Sequence, residues 1–199
     1  MPSWHDGDPR LKLYYSPKAC SLACHIALEV SGLPYEAVAV NIRAGQNHQA
    51  DYLALSAKGS VPALARGNAV LTEAQAILTF VADQVPDTGL LPRPGTLIRA
   101  RAHEWMNLTS SSLHPAFRGI FKPQHYVGDS LPGAAALRAQ SHLNLAQNLA
   151  LVESRLNEGP FALGERFSVA DAYLFVFYLW CFDERLDAPA AVGPRYTAL

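Results

Sequence analysis

A thiol stands where a short apolar strand gives way to a helical stretch. In LKLYYSPKACSL, residues 11–22, Cys20 follows the break at Ser16-Pro17 and precedes the helical spacing of Leu22, Ile26 and Val30. Unpaired N–H groups and the dipole at a helix start favour an anionic sulfur, and can lower a thiol pKa from about 8.5 to roughly 3.5–7.5. Such a residue can attack as a nucleophile or exchange disulfides. The competing reading is packing, since free cysteines are commonly small buried residues. Tyr15 ends the strand, where its phenol can donate to a thiolate or simply fill core, while Tyr14 points to the opposite face. Glu73-Ala74 opens another helix, whose first N–H groups can receive a carboxylate. Glu73 also reads as an ordinary first-turn acid. Asn107 and His114 lie seven residues apart on one predicted helix and so share a face. A lone helical histidine is also commonly a surface or hydrogen-bonded residue.

Other chemistries fit poorly. Cys20 and Cys24 have three residues between them, with no paired ligand set at zinc spacing, and the seven histidines are scattered, so no metal is expected. Cys24 lies one helical turn past Cys20, a poor geometry for a disulfide. Cys181 sits in an apolar helix and reads as packing. Three cysteines do not make a secreted disulfide framework, so a reducing cytoplasm is the expected location. Asp171, in Ser168-Val-Ala-Asp171, reads as part of a helix cap rather than as a catalytic acid.

The elements that position these residues fall into two groups. Residues 11–84 read as strand (Leu11–Tyr15), helix (Cys20–Ser31, stopped by Gly32 and Pro34), strand (Tyr35–Ile42), an irregular helix, a hairpin turning at Arg66-Gly67-Asn68, and a helix from Thr72-Glu73 to about Gln84. The first strand–helix–strand unit implies a parallel crossover. Residues 85–95 hold three prolines and two glycines and read as a linker. Residues 96–199 read as all helical, with helices over Leu97–Ile120 (bent at Pro115), Ala134–Leu156 and Ser168–Phe182. Residues 1–10, MPSWHDGDPR, are a polar extension without the apolar core of a signal peptide.

The 199 residues are 50% hydrophobic and 17% charged, with a net charge of −1. That is a globular composition, and it gives no electrostatic reason to expect nucleic acid or an anionic membrane. The longest apolar run, VADAYLFVFYLWCF, is too short to span a bilayer.

Four stretches in order, LKLYYSPKACSLACHIAL, AKGSVPAL, LTEAQAI and FSVADAYLF, give the chain its resemblance to a family. Over residues 11 to about 183 it resembles the cytosolic glutathione S-transferases, most like the bacterial beta class. The resemblance implies an α/β thioredoxin-like N-terminal domain plus an all-α C-terminal domain. It also implies glutathione as co-substrate, a small hydrophobic electrophile as second substrate, and a homodimer. Cys20 matches the cysteine that faces the glutathione sulfur, and Tyr15 matches the family's N-terminal tyrosine. Asn107 and His114 match residues that reach the sulfur from the helical domain. Val61-Pro62 matches a cis bond that turns the Val61 backbone toward the cysteinyl amide. Glu73 and Ala74 occupy the γ-glutamyl site, and Arg43 is the available cation for the glycyl carboxylate.

Three positions depart from that pattern. Ala74 replaces a serine, losing a hydroxyl worth about 0.5–1.5 kcal/mol of hydrogen bonding. Lys18 stands where glycine is common. After Phe182 only 17 residues follow, rich in Pro, Ala and Gly, so the helical domain reads as shortened. The expected function is conjugation of the glutathione thiolate to soft electrophiles, or thiol–disulfide chemistry through Cys20. The alternative is a transferase-like binding or scaffold protein with weak turnover.

Overall fold

The computed structural model describes residues 10–156, 159–186, 190, 192–193 and 196. The N-terminal extension, apart from Arg10, and much of the C-terminal tail lie outside these residues. The chain divides into two compact units, residues 1–94 and 95–199.

The first unit runs β1 (Leu11–Tyr15), α1 (Ser21–Ser31), β2 (Tyr35–Ala39), α2 (Ala50–Leu55), β3 (Ala63–Arg66), β4 (Ala69–Thr72) and α3 (Ala74–Gln84). The sheet order is β2-β1-β3-β4. β1 and β2 are parallel, with Leu13 opposite Ala37; β1 and β3 are antiparallel, with Leu13 opposite Leu64. β3 and β4 form the expected hairpin about Gly67-Asn68. Leu11 and Leu13 are buried while Lys12 and Tyr14 are partly exposed, the alternation a pleated strand imposes.

Helix α1 buries a different face from the one its larger apolar residues suggest. Ala23, Cys24, Ala27, Leu28 and Ser31 are buried, whereas Leu22 and Ile26 are only half-buried and Val30 is 50% exposed. α1 packs against α3, with Ile77, Leu78 and Val81 fully buried. Small side chains let the two helices approach closely, so the alanine stripe takes the core. Gly32 ends α1 in the left-handed conformation, φ 70°, its N–H donated to Glu29 O. β2 stops at Ala39, short of the Ile42 expected, because the chain turns at residues 42–45.

The second unit holds α4 (Leu97–Leu108), α5 (His114–Phe121), α6 (Gln124–Val127), α7 (Leu131–Arg155) and α8 (Val169–Trp180). The single helix expected over 97–120 is broken by a π-helical turn, Thr109–Leu113. Pro115 has no N–H to give the carbonyl four residues back, and the ladder loosens just ahead of it. Side chains add hydrogen bonds around this turn. Ser110 and Ser111 hydroxyls donate to Asn107 O, and Asn148 Nδ2 on α7 donates to Ser112 O at 3.2 Å.

The cap predicted before α8 is present as a capping box. Asp171 Oδ2 accepts from Ser168 N–H and Oγ–H, and Oδ1 accepts from Ala162 N–H, each at 2.7 Å. Phe117, Phe121 and Phe177 each pack edge-on with Trp180 in the core of this unit. Among the described residues no helix is long and apolar enough to cross a membrane.

Candidate functional site

The turn from β1 into α1 is tied by Ser21, whose Oγ accepts from Ser16 N–H at 3.1 Å and lies 3.3 Å from Ser16 O. Lys18 in this turn has φ 62° and is exposed. A left-handed backbone explains why glycine suits the position. Cys20 is the N-cap of the eleven-residue α1, is partly exposed, and makes no side-chain cap bond. Its Sγ donates instead toward Val61 O at 3.5 Å. Cys24, one turn on, is fully buried with Sγ 3.7 Å from Ala74 O, and burial pushes its thiol well above the ordinary range. The neighbouring Cys20 pushes it the same way. Burial also pushes Cys181 up, to about 12.

Val61-Pro62 is a cis peptide, placed between the loop 56–60 and β3. Val61 is buried beside Val40 and Tyr52, and Tyr14 and Ala19 pack on that cluster. Val61 N–H has no protein acceptor among the described residues. The preceding loop is held closely. Asn47 Nδ2 donates to Gly59 O at 2.8 Å, and both Tyr52 Oη and Ser56 Oγ donate to Ser60 O at 2.9 Å. Gly59 has φ 60°, and a Cβ there would lie 2.8 Å from Asn47 O, so no larger residue fits.

Glu73 is the N-cap of α3, with φ 71° and ψ 120°, a sparsely populated conformation for a residue with a side chain. β4 extends through Thr72, so α3 begins at Ala74 rather than at Thr72-Glu73. The Glu73 carboxylate is exposed and paired with Lys58 Nζ. Lys58 was visible in the sequence only as part of AKGSVPAL. Its partner lies fifteen residues away, and no local pattern reports that pairing.

The structure thus brings Cys20 to Val61, Cys24 to Ala74, and Lys58 to Glu73. The remaining expected residues have the following surroundings within their own units. Tyr15 turns its ring onto His25, centroids 5.0 Å apart, while Tyr14 packs against the cluster of Val40, Tyr52 and Val61. Arg43 is exposed in the turn after β2. In the helical unit, Asn107 is exposed and His114 is half-buried against Phe177 and Trp180, at 5.5 and 5.4 Å. A π-helical turn, Thr109–Leu113, lies between them. Such a turn takes more residues per revolution than an α turn, so the seven-residue spacing is not that of an uninterrupted α-helix.

The family description "Glutathione S-transferase, N-terminal domain" matches residues 9–83. The chain is 36% identical over 182 residues to "Glutathione S-transferase GstA" of Escherichia coli O157:H7, covering 89% of this chain and 85% of that protein. A crystal structure of a glutathione transferase homologue from Sulfitobacter, with bound glutathione, aligns at TM-score 0.86 and 34% identity over 95% of this chain and 89% of that one. The bacterial beta class glutathione S-transferase of Sphingomonas chungbukensis aligns at TM-score 0.76 and 34% identity, covering 94% and 89%.

Proposed function

The chain belongs to the glutathione S-transferase family of enzymes, and from that premise we propose that it binds glutathione along the Val61–Pro62 edge and activates its thiol beside Cys20. The observation that carries the reading is the unpaired Val61 N–H next to a cis bond, with the Cys20 sulfur 3.5 Å from the same residue's carbonyl. A peptide ligand lying alongside can exchange backbone hydrogen bonds with Val61, as an added strand does at a sheet edge. Ala74 N–H, at the start of the eleven-residue α3, suits the γ-glutamyl carboxylate, and Glu73 suits its ammonium. Arg43 is the cation available to the glycyl carboxylate. Asn107 and His114 are assigned to the sulfur by family likeness alone.

Two reactions follow from a thiolate held there. In conjugation, glutathione gives its thiol proton to solvent, and its sulfur attacks an electrophilic carbon. A C–S bond forms and the leaving group, a halide for an aryl halide, departs with the bonding electrons. In exchange, the Cys20 thiolate attacks the glutathione sulfur of a mixed disulfide and expels the other thiolate. A second glutathione then attacks the Cys20–glutathione disulfide, releasing oxidised glutathione and restoring Cys20. The second substrate is a small hydrophobic electrophile, the location is the cytoplasm, and the working form is a homodimer.

Titration calorimetry with glutathione and conjugation to an aryl halide test the reading. Glutathione binds the folded protein and conjugate accumulates. After incubation with oxidised glutathione, intact mass shows one glutathionyl adduct on the parent and none on Cys20→Ser. A folded protein that neither binds nor conjugates millimolar glutathione refutes it.

A further inference from the structure

The Ser60–Val61 peptide plane is held from one side by two side chains. Tyr52 Oη and Ser56 Oγ both donate to Ser60 O at 2.9 Å, and both residues are buried, 5% and 2% exposed. Ser56 also accepts from Ser60 N–H at 3.3 Å, and its own carbonyl takes Gly59 N–H at 2.7 Å. One residue earlier, Asn47 Nδ2 holds Gly59 O. The carbonyl of Ser60 and the N–H of Val61 belong to the same peptide unit. That unit is trans, since Val61-Pro62 is the cis bond among the described residues. In a trans peptide the C=O and N–H point in opposite directions across a rigid plane. Fixing the Ser60 carbonyl inward therefore aims the Val61 N–H outward, and that N–H is the one left without a protein acceptor.

We infer that Tyr52 and Ser56 are positioning residues for glutathione, which by jointly gripping the Ser60 carbonyl orient the Val61 N–H toward the ligand's cysteinyl carbonyl. The inference rests on the glutathione-binding reading above. Neither side chain touches the ligand. Without the grip, the peptide plane is free to rotate, and the binding-competent orientation becomes one of several, which lowers apparent affinity by the fraction lost. The two donors share one acceptor, so either alone retains part of the orientation. Their losses are therefore expected to be more than additive, as for groups in one hydrogen-bond network.

Glutathione is titrated by calorimetry into the parent, Tyr52→Phe, Ser56→Ala and the double variant, with thermal unfolding recorded for each. Each single variant should raise the Kd about two- to threefold and the double about tenfold or more, the loss of one and then two neutral hydrogen bonds. The KM for the aryl halide, and kcat at saturating glutathione, should stay within about twofold of the parent. In isotope-labelled parent the Val61 amide proton should move downfield on adding glutathione, and the shift should shrink in the double variant. A purely structural role would lower the unfolding temperature and leave both Kd and the Val61 shift unchanged. A folded double variant with the parent's Kd overturns the inference. If the double variant does not fold, Tyr52→Phe decides, and a Kd equal to the parent's overturns it. A parent that binds no glutathione refutes the functional reading first, and the inference with it.

Discussion

Replacing Asp171 by alanine should cost the helical unit about 3–5 kcal/mol. Three buried donors converge on this carboxylate at 2.7 Å: Ala162 N–H on Oδ1, and Ser168 N–H and Oγ–H on Oδ2. Asp171 is 3% exposed, Ser168 2% and Ala162 5%, so water cannot replace the lost acceptor. The Ser168 hydroxyl can turn to another partner, but the two backbone N–H groups cannot. Each orphaned buried donor costs about 1–3 kcal/mol, and a lost N-cap about 0.5–2. Relief of the buried charge offsets part of that sum. Asp171→Asn keeps one acceptor oxygen and should lose about half as much. Tryptophan fluorescence during denaturant unfolding is a suitable probe, since Trp105 Nε1 donates to Ala162 O, the residue Asp171 holds from its N–H side. Burial pushes the Asp171 carboxyl above the usual carboxylate range, against the opposing pull of the Ala162 and Ser168 donors. The folded chain then binds the proton more tightly than the unfolded chain, so this contribution is present below the unfolded pKa and lost as pH rises through the folded pKa. The stability gap between parent and Asp171→Ala should therefore narrow as pH rises through the unfolded carboxyl value of about 3.9 and level off above the raised folded one. A loss under about 1 kcal/mol at neutral pH, or an Asp171→Asn variant as stable as the parent, refutes the count of orphaned donors. A gap that widens with pH refutes the dominance of burial.

Three further outcomes are expected. Ala74→Ser should tighten glutathione binding about three- to tenfold in calorimetry by restoring a donor at the start of α3; a weaker complex would mean the γ-glutamyl carboxylate is received elsewhere. Glu73→Gly should unfold at the parent's temperature or above it, since a backbone conformation costing about 1–3 kcal/mol is relieved while only an exposed ion pair is lost, yet it should bind glutathione more weakly. Iodoacetamide at pH 8 should label Cys20 alone in the folded protein, because burial keeps Cys24 and Cys181 protonated; peptide mapping that finds Cys24 alkylated at a comparable rate would contradict its burial.

Much of the site was legible because its signals are local. Ser16-Pro17 before Cys20, Gly32 after α1, and Ser168 with Asp171 before α8 are near-neighbour effects, and all three appear as read. The cis Val61-Pro62 bond was expected only from family likeness, since X-Pro pairs are cis in only about 5–6% of cases. Tyr52 carried no signal at all, because its hydroxyl matters through a carbonyl eight residues away. The spacing of Asn107 and His114 was read with an ideal helical repeat, and the π turn just ahead of Pro115 that interrupts that repeat has no local sequence signature of its own.

Residue order alone determined the order of strands and helices in the first unit, the helix stop at Gly32 and the cap at Ser168 and Asp171, the placement of a thiol at a helix start, and membership of a glutathione S-transferase lineage. These depend on a few adjacent residues and on the steric limits of each backbone. Tertiary structure decided which stripe of α1 is buried, how Lys58 meets Glu73, and where the Val61 N–H points. Each of those is settled by groups from separate segments competing for the same space or the same carbonyl, and that competition exists only once the segments are packed together.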